Sequence, residues 1–251
     1  MHHQLRPEAY GEALSEVYDR MYPSFDTPQT VDFIAALLEP GARVVEFGAG
    51  TGRVAIPLAG KGFSVHAVEV SQPMLDKLHE RDPEGTVKTV RADFAEHVID
   101  GNFDLCYVVC NTLFMLPDPE QQIEGLRRAG EHLTDGGTLL VEVYDPSYFH
   151  QLVKPEFQVR NLASDQVMLD TISVDPVRQL LAQVHTTIKA GSVSTFTELS
   201  RYAWPSELDL MARVAGFEKI ERHGDWERSP FVPGSHRHIT RYRKSSADPR
   251  R

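Results

Sequence analysis

Val44-Val45-Glu46-Phe47-Gly48-Ala49-Gly50-Thr51-Gly52-Arg53 is an apolar strand that runs straight into a glycine loop, and the helical pattern Val54, Ile56, Leu58, Ala59 follows at once. Glycines at alternate positions leave the backbone bare, so a nucleotide-like ligand can lie against its N–H groups at the start of a helix. The same layout also closes ordinary strand-to-helix turns. The flanking chain has to decide between the two.

Downstream of the loop the hydrophobic periods alternate. Residues 52–60 read as a helix, Ser64 to Val70 as a strand, Pro73 to Glu80 as a helix and Val87 to Ala92 as a strand. Phe103 to Cys110 is a continuous apolar strand, Pro119 to His132 a helix, and Thr138 to Tyr144 a strand ahead of Asp145-Pro146. Strands that are apolar on both faces and separated by amphipathic helices predict a parallel sheet covered on both sides, a Rossmann-like doubly wound α/β domain.

Upstream, residues 10–22 place Tyr10, Leu14, Val17, Tyr18, Met21 and Tyr22 at helical spacing, a stripe that suits a core contact or a lid over a ligand. Thr27-Pro28 predicts an N-cap and first-turn proline for a second helix through Leu38, which Pro40-Gly41 ends. Between 150 and 204 the pattern changes to four β-rich runs, Phe157 to Leu162, Gln166 to Val174, Arg178 to Ile188 and Val193 to Tyr202, with turn signals at Asp175-Pro176 and Ala190-Gly191. A helix from Pro205 to the Gly216 stop and two strands, Phe217 to His223 and His236 to Tyr242, close the chain. The expected organisation is an N-terminal helical lid over 1–40, a main domain over 41–149 and 205–243, an antiparallel insertion over 150–204 as substrate cover or dimer contact, and a frayed tail over 244–251.

The 251 residues carry 36 acidic and 26 basic side chains, a formal charge of -10 that repels phosphate backbones and anionic membrane surfaces. Nucleic acid and membranes are therefore not expected partners, and the basic residues Arg237, Arg241, Arg243 and Lys244 read as a solvated edge. Cys106 and Cys110 both lie in an apolar run and read as core thiols in a reducing compartment. No apolar run approaches the roughly 18 residues of a membrane span and Met1-His2-His3-Gln4 lacks a signal-peptide layout, so the expected location is the cytoplasm.

In a parallel sheet, ligands sit beyond the carboxyl ends of the strands. Glu69 ends the second strand 21 residues after Gly48, where a carboxylate can accept both hydroxyls of a ribose. Asp93 ends the third, placed to accept from an exocyclic amine with Phe94 beside the ring. Acids in register at successive strand ends are hard to attribute to capping alone. A nicotinamide fingerprint needs a glycine where Arg53 stands, and a P-loop needs a Gly-Lys-Ser/Thr that is absent. Glu46, just before the loop, disfavours a pyrophosphate and suits a cation.

Glu46 to Gly52 is similar to the first motif of the class I S-adenosylmethionine-dependent methyltransferases. Val68-Glu69-Val70-Ser71 with Met74-Leu75 resembles the family's ribose motif, Ala92-Asp93-Phe94 its adenine motif, Phe103-Asp104-Leu105 with Cys110-Asn111-Thr112 its fourth strand and loop, and Leu133 to Thr138 its turn into the fifth strand. The resemblance implies a seven-stranded order 3-2-1-4-5-7-6 with the last strand antiparallel, and S-adenosylmethionine as cofactor. It assigns to the cofactor Glu46, Phe47, Gly48, Ala49, Gly50, Thr51, Gly52, Arg53, Glu69, Val70, Met74, Ala92, Asp93, Phe94, Cys110 and Asn111. Glu46 stands where aspartate is commoner, and either acid can approach the methionine ammonium.

The implied chemistry is methyl transfer to a small organic acceptor, N- favoured over O- or C-, in a layout that resembles amino-sugar and other natural-product methyltransferases. Tyr18 and Tyr22 are candidates to cap the cofactor. His236 and His223, at the sheet edge that holds the loop, are candidate bases, and Tyr144 can orient the acceptor. Trp226 can stack on it, with Tyr202, Trp204, His185 and Glu198 as further candidates in and beside the insertion. No metal is expected, since no paired acids suggest a magnesium site. A nicotinamide-dependent oxidoreductase and a catalytically silent S-adenosylmethionine-binding module are the alternatives.

Overall fold

The computed structural model describes residues 6–22, 26–96 and 99–245. In chain order its elements are α1 (Ala9–Leu14), α2 (Tyr18–Met21), α3 (Thr27–Ala35), β1 (Arg43–Phe47), α4 (Ala55–Gly60), β2 (Ser64–Glu69), α5 (Gln72–Arg81) and β3 (Lys88–Arg91). There follow β4 (Phe103–Val108), a 3-10 turn (Thr112–Met115), α6 (Pro119–His132), β5 (Leu133–Tyr144), α7 (Ser147–His150), β6 (Glu156–Ala163), β7 (Gln166–Asp175), β8 (Leu180–Lys189) and β9 (Ser192–Arg201). The chain closes with α8 (Pro205–Val214), β10 (Phe217–His223) and β11 (Arg237–Lys244).

Seven strands form one sheet in the order β10-β11-β5-β4-β1-β2-β3. The pairs β1–β2, β1–β4, β2–β3 and β4–β5 are parallel, and β11 runs antiparallel between β5 and β10. This is the order that the resemblance implies. Val44, Val45 and Phe47 of β1 are enclosed on both faces, because helices cover the sheet on each side. One core holds Phe103, Leu126, Leu139 and Phe217, and the other Ile34, Leu58, Leu78 and Tyr107.

The remaining four strands make a second, antiparallel sheet in the order β6-β7-β8-β9. Its inner face buries Leu162 and Met168 against Leu14, Val17 and Met21 of the N-terminal segment. The end of β9 is pinned to α6, where the Gln122 side chain donates to the Arg201 carbonyl at 2.7 Å and accepts from the Arg201 guanidinium at 2.9 Å. These contacts fasten the second sheet to α6 and to the N-terminal segment.

Several expectations are corrected. The stripe over 10–22 is not one helix: α1 ends at Leu14 and α2 restarts at Tyr18, and Leu14, Val17 and Met21 pack on the second sheet with Tyr10 and Tyr22 half-buried against the same cluster. Thr27 is the first residue of α3 and not its cap; Asp26 precedes it, and Thr27 Oγ1 accepts from Arg53 instead. The strand β11 is interior, so its arginines are paired across strands, Arg241 with Glu221 and Arg243 with Glu218. Lys244 and Ser245 are held by Leu133 and Gly216, and the rest of the expected tail lies outside the described residues. Among the described residues no helix is long and apolar enough to cross a membrane.

Candidate active site

The glycine loop leaves β1 at the centre of the sheet and doubles back over β2. Gly48 and Ala49 donate their N–H groups to the Val68 carbonyl at 2.8 and 3.1 Å, a turn made possible by φ +71° at Gly48. A Cβ at Gly48 meets Thr112 and one at Gly52 meets Ile56 and Leu78, whereas the atoms nearest to one at Gly50 belong to Tyr18, 3.8 Å away. The bare surface at Gly50 therefore faces the lid segment and not the core.

Glu69 closes the loop from beneath the second strand end. Its Oε2 accepts from the Gly50 N–H and its Oε1 from the Ser71 N–H, both at 2.9 Å. Burial raises its pKa, and those N–H groups oppose the rise. Asp93 accepts from the Ala95 N–H at 2.9 Å, while the Phe94 ring stacks on Phe47 at 5.2 Å and so has a core partner. Ala92 and Met74 are buried supports; the Ala92 N–H donates to the Glu69 carbonyl, and Met74 lies under Gly11 of α1. The Val70 carbonyl accepts from Arg91 Nε at 3.2 Å.

Glu46 is buried beneath the loop, where its carboxylate accepts from the Tyr107 hydroxyl at 3.0 Å. Burial pushes it up to about 8, against the lowering pull of Tyr107 and Arg53. Arg53, at the end of the loop, donates to Thr27 Oγ1 at 3.0 Å, to Asp26 at 3.3 Å and to the Cys110 sulfur. Burial drives the Cys110 thiol up to about 12, with Glu142 adding to the rise.

Glu142 and Arg237 extend this network. Glu142 accepts from the Cys110 N–H at 2.6 Å, and Arg237 bridges Asp26 at 2.9 Å and Glu142 at 3.5 Å. Cys110 and Asn111 take positive φ, which aims the end of β4 across the cleft, and Asn111 Oδ1 accepts from the Tyr144 N–H at 2.7 Å. Asp26, Glu142 and Arg237 were not among the expected residues. A charged side chain within the apolar run of β5 was the available signal for Glu142, since a buried carboxylate needs partners.

The lid over this floor is aromatic. Tyr18 packs on Tyr22 at 5.0 Å and on Tyr10 at 6.3 Å, and Tyr10 packs edge-on to Phe196 of β9 at 6.3 Å. The lid is latched to the loop by Asp19, which accepts from Thr51 Oγ1 at 2.7 Å and pairs with Arg81 at 3.2 Å. Tyr144 stands at the end of β5 against Phe114 and Phe149.

The remaining expected residues are spread more widely. His223 does lie at the sheet edge that holds the loop, but Glu221 holds its ring at 3.1 Å and Phe33 packs on it. His236 is exposed and borders a cavity of 620 Å³ with Trp226, Asp26 and Arg237. Trp226 is itself 7% exposed and packs on Phe33 at 5.4 Å, so its ring serves the core. Tyr202, just after β9, is fully buried, with its hydroxyl 2.8 Å from His150 Nδ1. Among the described residues no group of three His, Cys, Asp or Glu could hold a metal ion.

A family model described as a methyltransferase domain matches residues 44–137, from β1 to the turn within β5. The chain is 37% identical to the CcbJ methyltransferase from Streptomyces caelestis, with a TM-score of 0.89 over 96% of this chain and 100% of that one. It is 28% identical over 245 residues to the cypemycin N-terminal methyltransferase of a Streptomyces species, covering 91% of this chain and 95% of that protein. The S-adenosylmethionine-bound amino pentose methyltransferase CalS10 from Micromonospora echinaspora shares the fold, with a TM-score of 0.69 at 16% identity over 94% of this chain and 96% of that one.

Proposed function

The chain belongs to the S-adenosylmethionine-dependent methyltransferases, and from that premise we propose that it methylates a nitrogen of a small organic acceptor held between the aromatic lid and the strand ends. The nicotinamide alternative falls with the family. The cofactor fits the residues present: Gly50 offers a bare backbone under Tyr18, and Glu69 lies behind it for a ribose. Asp93, which accepts from the Ala95 N–H, follows β3 on the side this reading gives to the adenine. Arg53 can pair the methionine carboxylate and Glu46 lies on the side of its ammonium. When bound, S-adenosylmethionine supplies an electrophilic methyl on a cationic sulfur.

The acceptor would have to present a free lone pair, and the positive charge would then come to rest on its nitrogen. The protein's task is alignment in a site that excludes water. Tyr10, Tyr18 and Tyr22 wall the site on one side and Tyr144 on the other. A neutral amine arrives with a free lone pair and needs no base for the transfer itself, which suits a cleft in which His223 is engaged by Glu221. The observation that carries the reading is the ring chain Phe196–Tyr10–Tyr18, which joins the second sheet to the bare Gly50. The name of the cypemycin relative, an N-terminal methyltransferase, supports nitrogen as the atom methylated.

Two finer points belong with this reading. The outer face of the second sheet exposes Phe157, Val159 and Val193, which suits a contact with a second copy of the chain. Both cysteines are free thiols, in keeping with a reducing cytoplasm.

The test is a mass-spectrometric screen of amines against matched alcohols in the presence of S-adenosylmethionine. Release of S-adenosylhomocysteine with methyl gain by amines is expected. Methyl gain by alcohols alone, or no transfer to any amine, overturns the nitrogen assignment.

A further inference from the structure

Arg160, Asp170, His185 and Glu198 form a hydrogen-bonded line across β6, β7, β8 and β9. Arg160 Nε donates to Asp170 Oδ2 at 2.7 Å, Asp170 Oδ1 meets His185 Nδ1 at 2.7 Å, and His185 Nε2 meets Glu198 Oε2 at 3.2 Å. The register explains the line, since Asp170 pairs with His185 and His185 with Phe196, two residues before Glu198 on the same face of β9. The Asp170 and His185 side chains are sealed, while Glu198 keeps 13% of its exposure. Burial lowers the His185 pKa, but its bonds to Asp170 and Glu198 outweigh that and hold it at about 9.

Buried charges of this kind seldom repay their desolvation through stability alone. The line surfaces at a place of consequence. Glu198 acts electrostatically on two tyrosines of the N-terminal segment, Tyr10 and Tyr22, and on Tyr144 at the end of β5. Its neighbour Phe196 stacks parallel to His185 at 6.3 Å and packs on Tyr10, which leads through Tyr18 to Gly50.

We infer that Glu198 is the acceptor-recognition residue, taking a hydrogen bond from the N–H of a small molecule that presents a basic nitrogen, while His185, Asp170 and Arg160 position its carboxylate. The inference rests on the proposed nitrogen transfer and narrows the acceptor class. An ionised carboxylate only accepts hydrogen bonds, and with the tyrosine rings it favours an amine, which keeps its positive charge after transfer, over a hydroxyl, which must shed that charge with its proton. The hydrogen bond from His185 fixes the rotamer, so the carboxylate meets the acceptor already oriented.

The experiment follows backbone amide shifts by NMR on the S-adenosylhomocysteine-loaded protein, with benzylamine as probe and benzyl alcohol as its neutral match. Benzylamine is expected to perturb Tyr10 and Glu198 and to bind about tenfold more tightly than the alcohol. Glu198→Gln should abolish that preference while calorimetric S-adenosylmethionine affinity stays at the wild-type value. His185→Gln should reduce the preference by a smaller factor, a change that a merely structural role would not produce in a folded variant. Equal binding of the two probes, no perturbation of Tyr10 or Glu198 at millimolar probe, or an unchanged preference in Glu198→Gln overturns the assignment. Failure of the wild type to bind S-adenosylmethionine would instead strike the proposed function, and this inference only through it.

Discussion

Gly48→Ala separates the two reasons why the first loop position must be glycine. At φ +71° the backbone is left-handed, which costs an L-residue about 1 to 2 kcal/mol. The new Cβ also lies 2.3 Å from Thr112 Cγ2 and 3.0 Å from Thr112 Oγ1. Thr112 cannot swing away freely, because its hydroxyl donates to the Val109 carbonyl at 2.8 Å and its backbone opens the 3-10 turn. Overpacking of this kind adds about 1 to 3 kcal/mol. The single variant should therefore lose about 2 to 5 kcal/mol in urea unfolding, and bind S-adenosylmethionine more weakly because the loop is displaced. Thr112→Ser removes Cγ2 and keeps the hydroxyl bond. Placed beside Gly48→Ala it should recover the packing part and leave the left-handed part of about 1 to 2 kcal/mol. A single variant within about 0.5 kcal/mol of wild type, or a double variant no more stable than the single, would refute this reasoning.

His185 gives a pH signature. Its folded pKa of about 9 lies above the ordinary 6.5, so its contribution is fully present below pH 6.5 and is lost as pH rises through 9. Unfolding free energy should fall by on the order of 3 kcal/mol over that window in wild type relative to His185→Gln, and parallel curves for the two proteins would contradict it. Glu46, raised to about 8 by burial, holds its proton in the folded protein at neutral pH, so its effect on stability is lost as pH rises from 4.5 through 8. If it meets the cofactor's ammonium, binding at pH 7 releases that proton. The calorimetric heat should then vary with the ionisation enthalpy of the buffer in wild type and not in Glu46→Gln; no buffer dependence in wild type would remove Glu46 from the ammonium.

The middle of the central sheet was legible because β1, β4 and β5 are apolar runs buried on both faces, and the ends of β1 and β2 carry acids, whereas β3, β10 and β11 are mostly polar. Pro119 to His132 was read to the residue, since Asp118 caps the helix through the Gln121 N–H at 2.8 Å. The lid was harder. One helical stripe over 10–22 suits a core or a lid alike, and no period in it marks the break after Leu14 or the second sheet on which it packs. The charged network of Asp26, Arg53, Glu142 and Arg237 joins four separate parts of the chain, and no local period encodes such a meeting. Trp226 and Tyr202 are both buried, and the sequence could not assign them to core or site because aromatic residues beside turns serve both. The His185 line depends on strand register, which a β-rich run does not specify by itself.

The most direct test of the account is calorimetric titration of S-adenosylmethionine into the wild type and Glu69→Ala. The carboxylate that holds the Gly50 and Ser71 N–H groups at 2.9 Å is the proposed ribose acceptor, so its loss should weaken binding by about 1 to 3 kcal/mol, with one site per chain in the wild type. No heat from a folded wild type, or equal affinity in the two proteins, would contradict the placement of the cofactor on this loop.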